Sequence, residues 1–211
     1  MSSAITHARA GADVRRLGLA CAISGVLMLG VSVFTVFPPD GVPDDQWSYP
    51  QTPSQLLAIS LVLAVAHALS VGGFIGARRL AVAGGGRASR VGFTGAVAGL
   101  IALGFCELLS GLIAEEPLDS GVAAVVGTLF GLSSLLFAAG AIIAGIGVIR
   151  AGRWPGWGRW LVLATGVVIV VLVTPANAVG DPVFRWVSLA LWSVLFIPLG
   201  FQVARGLRPR S

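Results

Sequence analysis

Residues 67–107 read HALSVGGFIGARRLAVAGGGRASRVGFTGAVAGLIALGFCE. Two apolar runs enclose a short loop holding Arg78, Arg79, Arg87 and Arg90, and the stretch opens and closes on ionisable side chains, His67 and Glu107. A hairpin of a soluble domain keeps a polar face on each element; here the apolar residues go all the way round. Extended outward, the flanking runs cover residues 56–77 and 92–114, each long enough to cross a hydrocarbon core of ~30 Å as a helix rising ~1.5 Å per residue. Continuous apolarity without a period of two favours helices over a barrel.

The same pattern recurs on both sides. Apolar runs occupy residues 17–37, 122–149, 160–176 and 183–204, which gives an all-α, polytopic transmembrane bundle of six spans. The run at 160–176 is near the lower length limit. Composition agrees: 56% of the 211 residues are hydrophobic and 11% charged, with mean hydropathy +0.91. The first run is too long for a secretory h-region and ends on Val36-Phe37-Pro38-Pro39 rather than a small-residue cleavage site, so it reads as an uncleaved span. Ala20-Cys21 is no lipoprotein site, because the apolar run follows that cysteine.

All fourteen basic residues are arginine, a bias we read as high-GC coding in a bacterium. Thirteen of them lie in the 1–16 tail, the loops around Arg87 and Arg153, and the 205–211 tail; Arg185 alone lies on the opposite side. Asp40, Asp44, Asp45, Glu115, Glu116, Asp119 and Asp181 gather on that opposite side. Positive charge is retained inside, so both termini are expected in the cytoplasm and the chain in the cell membrane. Short arginine clusters between apolar runs serve orientation, and no nucleic acid partner is expected. Trp154, Trp157 and Trp160 at the inner surface, and Trp47, Tyr49 and Trp186 at the outer one, read as interfacial anchors. The proline-rich segment 38–55 should be turn-rich, a possible small lid.

Short connections predict that sequential helices pack as antiparallel neighbours. Gly72/Gly76, Gly95/Gly99 and Gly127/Gly131 are GxxxG pairs that permit close helix approach, within the chain or in a helix-mediated homo- or hetero-oligomer.

His67 and Glu107 form the candidate intramembrane polar site. Ser60 and Ser70 share a helix face with His67, and Gly104, Ser110 and Gly111 share one with Glu107. An intramembrane carboxyl either serves function or ties helices together by hydrogen bonds. Asp181 and Arg185 are spaced for an i, i+4 ion pair at the outer mouth. Cys21 and Cys106 differ too much in depth for a disulfide and read as packed thiols. No spacing of metal ligands, nucleotide loop or hydrolase motif is present, so no metal, cofactor or catalytic residue is expected. Glu115-Glu116 resembles the paired glutamates of membrane-embedded prenyl-protein proteases, but Ser120 stands where that pattern needs Arg, and the resemblance fails. The expectation is a non-catalytic accessory, sensory or interaction subunit. The alternative is a small-solute or proton-coupled transporter or channel using His67 and Glu107. A water-filled cavity reaching both residues would favour transport, and a packed interior the structural role.

Overall fold

The computed structural model describes residues 2–207. It holds six helical elements long and apolar enough to cross a membrane. Four are continuous or nearly so from the start: α1 (Ser2–Phe34), α2 (Pro53–Arg79), α3 (Arg87–Leu112) and α4 (Gly121–Ala151). The fifth, Gly156–Val179, is composite: a 3-10 turn (Gly156–Trp160), α5 (Leu161–Val168), a π-helical turn (Ile169–Val173) and α6 (Thr174–Val179). The sixth is α7 (Pro182–Arg205). Among the described residues there is no strand, only an isolated bridge between Gln46 and Pro117.

The helix ends follow local chemistry. Helix α2 begins three residues ahead of its apolar run because Thr52 and Gln55 form a reciprocal capping box and Pro53 takes the first helical position. Ser120 caps α4, whose other end stops on Gly152 in the left-handed conformation. The 1–16 segment, expected as a polar tail, is already helical from Ser2, and α1 stops at Phe34, ahead of Pro38-Pro39. Pro175 accounts for the irregular fifth span. It has no N–H for the carbonyl of Val171 and its ring would crowd that carbonyl, and the wider π turn just before it relieves both problems. The span runs 24 residues, longer than the 160–176 expected.

Sequential helices do pack as neighbours, and α7 closes the ring against α1 in one of the two most extensive helix pairings, the other being α3 with α4. Glycine makes the closure possible. A Cβ on Gly18 or Gly200 would strike the main chain of the opposite helix, at Ala204 and Ala22, and one on Gly25 would lie 2.9 Å from Ser193 O. The GxxxG pairs divide the same way. Gly72 and Gly76 face Leu17 of α1, and Gly99 faces the Phe137 main chain of α4, so these pairs are used inside the chain. Gly131 meets nothing within 4 Å.

A column of aromatic rings fills the centre. Phe74, Phe137, Trp192 and Phe196 make edge or stacked contacts at centroid distances of 4.9–6.4 Å, and Phe93 joins at Phe74. Closing the ring sets Leu17, Gly76 and Val203 side by side. The start of α1 and the ends of α2 and α7 therefore share one end of the bundle with Arg15, Arg16, Arg78, Arg79, Arg87, Arg90, Arg150, Arg153, Arg159 and Arg205. Arg208 and Arg210 lie outside the described residues. The other end carries the acidic loops.

Two aromatic residues depart from the interfacial role expected of them. Trp154 is only 1% exposed and belongs to the core, while its neighbours Trp157 and Trp160 are 66% and 48% exposed. The Pro155-Gly156 turn folds Trp154 back under the bundle, and Arg159 lies over the Trp160 ring at 5.6 Å. Trp47 is a wedge: its indole N–H donates to Ser110 Oγ at 2.8 Å and its ring edge approaches Gly127. The whole 38–52 segment is turn-rich and is pinned to the loop after α3 by Trp47 N to Glu116 O (2.8 Å), Ser48 N to Ala114 O (3.1 Å) and Leu118 N to Asp45 O (2.7 Å).

Candidate intramembrane polar site

His67 sits midway along α2 and is buried. Its Nδ1 lies 2.8 Å from Leu63 O, and a carbonyl only accepts, so Nδ1 carries a proton and donates. The imidazole is thereby held along its own helix, with the Trp192 ring centred 6.0 Å away. Trp192 in turn donates from Nε1 to Thr165 O at 3.1 Å, which links α7 to α5 beneath the histidine.

Gly104 brings α3 onto α2 at this level: a Cβ there would lie 3.5 Å from His67 Cβ, and one on Gly111 would lie 3.1 Å from Ser60 Cβ. Glu107 is three residues from the first glycine and four from the second, so it occupies the α2-facing side of α3, about 4.5 Å in depth from the His67 level. It is partly buried. The two residues thus share one helix interface, one turn apart, and no hydrogen bond or ion pair joins them among the described residues. Ser110, one turn along α3 from Glu107, is the residue taken by the Trp47 indole.

The serines on the His67 face have separate roles. Ser70 Oγ donates within a buried pair with Ser24 Oγ of α1 at 2.8 Å and is also 3.0 Å from Ala66 O. Ser60 Oγ is buried without a partner among the described residues. Cys21 and Cys106 are both buried free thiols in different helices, near Phe196 O and Ser133 Oγ respectively.

At the acidic end, Asp181 is the N-cap of α7, its carboxylate accepting from Phe184 N at 2.6 Å. What joins it to Arg185 is main chain, Arg185 N to Asp181 O at 3.0 Å, and no side-chain ion pair is formed among the described residues. The Asp-Pro start of α7 explains this: the cap geometry turns the carboxylate toward the first helical turn. Arg185 is partly buried and lies two turns from Trp192 on the same helix face, so it sits over the aromatic column.

Trp192, Thr165 and Ser24, the partner of Ser70, are site neighbours that sequence reading did not single out. Trp192 carried a signal, since a tryptophan ten residues inside an apolar run is displaced from the interfacial belt and needs a partner for its N–H. Among the described residues no three metal-ligating side chains cluster. Chemically, the arrangement offers a carboxyl and an imidazole able to hold a proton. No protein-family model, curated protein or solved structure matches the chain.

Proposed function

We propose that the chain is a non-catalytic subunit of the bacterial cytoplasmic membrane, with both termini in the cytoplasm, acting in an accessory, sensory or interaction role. The observation that carries this reading is the filled centre: His67 packs against Trp192, and Trp192 against Phe137 and Phe196, at ring distances that leave side chains and not solvent on the bundle axis. Two surface hollows lie away from this column, one on the flank of α4 beside Ala124 and Thr128 and one between α1 and α2 at the basic end. Reconstitution into liposomes tests it. Proton uptake under an imposed pH gradient should match that of empty liposomes, and a flux abolished by Glu107→Gln would overturn it.

One observation favours a second reading, the small-solute or proton-coupled transporter. Glu107 is an interior-facing carboxyl with partial exposure and no side-chain partner among the described residues, and Arg185 overlies the same column from α7. That flux assay separates the two readings, because an amide does not titrate in this range.

A further inference from the structure

Between α1 and α2, at the basic end, a groove of about 390 Å³ is lined by Asp13, Arg16, Leu17, Ala20 and Arg79. Four of these share one face of α1 by their i, i+3, i+4, i+7 spacing, and Arg79 is the last residue of α2. The face changes character along its length. Asp13 and Arg16 stand at the entrance to the apolar segment; Leu17 and Ala20 follow, and the stripe runs on through Ile23, which is 53% exposed, to Leu27. From Leu17 to Leu27 this makes an apolar track about 15 Å long. No ion pair among the described residues neutralises the three charges.

A polar rim opening onto an apolar track at a helix boundary has the shape of a phospholipid, with the headgroup at the rim and an acyl chain along the track. The charges narrow the class. Two guanidiniums match a phosphodiester, which each can grip with paired N–H donors. A purely anionic headgroup would satisfy them and place negative charge beside Asp13. A headgroup carrying both a phosphate and a primary ammonium satisfies all three, because the ammonium has N–H groups to donate to the Asp13 carboxylate, and a quaternary ammonium has none.

We propose that this groove is a binding site for an ethanolamine phospholipid, with Arg16 and Arg79 on the phosphate, Asp13 on the ammonium and one acyl chain along Leu17, Ala20 and Ile23. The site depends only on the bundle lying in a membrane, whichever role the protein has there.

The test uses the full chain purified in detergent. Retained lipid is read by native mass spectrometry, and thermal stabilisation by intrinsic tryptophan fluorescence, with dioleoyl phosphatidylethanolamine, phosphatidylglycerol and phosphatidylcholine added in turn. Wild type should bind the ethanolamine lipid about tenfold more tightly than either other lipid, a difference of ~1.4 kcal/mol. Asp13→Asn should erase that preference while phosphatidylglycerol binding rises. Arg16→Gln with Arg79→Gln should lose retention of every phospholipid, and Arg153→Gln, outside the groove, should behave as wild type. All three groove charges are exposed, so these variants should fold; if one does not, the wild-type ranking alone decides. Equal or tighter binding of phosphatidylglycerol or phosphatidylcholine by wild type would overturn the proposal. So would displacement of the lipid by millimolar inorganic phosphate or phosphorylethanolamine, which would make the ligand a water-soluble phosphate.

Discussion

The indole of Trp47 and the hydroxyl of Ser110 are 63 positions apart in sequence and 2.8 Å apart in space. That hydrogen bond, with the three main-chain bonds beside it, converts a proline-rich loop into a cover over the ends of α3 and α4 at the acidic end of the bundle. Trp47→Phe keeps the ring and removes the donor, and should cost ~0.5–1.5 kcal/mol. Trp47→Ala should cost at least twice as much, because the wedge beside Gly127 is lost too. Thermal unfolding in detergent measures both, and limited proteolysis between Pro38 and Gln46 should accelerate only for the alanine variant.

Glycines in this chain are not equivalent, and two on α4 show it. A Cβ on Gly140 would collide with the main chain of α3 at Ala96, whereas Gly131 faces open space. Gly140→Ala should destabilise by ~1–3 kcal/mol through enforced helix separation. Gly131→Ala should change stability by no more than ~0.5 kcal/mol. Equal effects in the two thermal melts would contradict the α3–α4 contact.

His67 and Trp192 touch but should respond differently to mutation. Trp192→Ala empties the middle of the aromatic column and removes the indole bond to the Thr165 carbonyl, with an expected loss of ~3–5 kcal/mol. His67→Phe preserves ring volume and gives up a bond made only to its own helix, so a loss below ~1.5 kcal/mol is expected. A collapse of the phenylalanine variant would reveal a partner for the second imidazole nitrogen.

Asp181 should act as a cap and not as a partner of Arg185. Asp181→Ala should cost ~1 kcal/mol and Asp181→Asn much less, since asparagine caps nearly as well. In a double-mutant cycle with Arg185→Gln the coupling should fall within ~0.5 kcal/mol of zero. A larger coupling would restore the ion pair.

Orientation is open to direct measurement. Alkaline phosphatase fused at Gly84 should be inactive and a fusion at Asp119 active, if the arginine-rich end is cytoplasmic. The reverse pattern would invert the whole arrangement.

Span number and order were legible because twenty-residue apolar runs have few alternatives, and the antiparallel neighbours followed from short loops. Adjacency of α2 and α3 put His67 and Glu107 on one interface, as their spans implied. What spacing could not supply was rotation about each helix axis at side-chain precision. His67 turned to Leu63 O, and Asp181 took up the cap of its own helix; each is a local bond whose competition with a distant partner is invisible in one dimension. Trp154 misled for a similar reason: its position at a span boundary suited an anchor, and only the turn at Pro155-Gly156 carries it inward. Closure of α7 on α1 left a faint trace in Gly18, Ala22 and Gly25 opposite Ser193, Gly200 and Ala204, small residues at helical spacing in a chain too rich in glycine for the pattern to stand out.

That closure also constrains how the molecule is made. Cys21 Sγ reaches Phe196 O across 175 positions. At a synthesis rate of ~5–20 residues per second, α1 must wait roughly 10–35 s for its last neighbour to leave the ribosome. Throughout that interval its glycine seam is open to any other helix nearby. Nascent chains stalled before α7 are therefore the species that membrane chaperones and proteases would meet, and the seam of α1 is the surface by which an unfinished copy differs from a finished one.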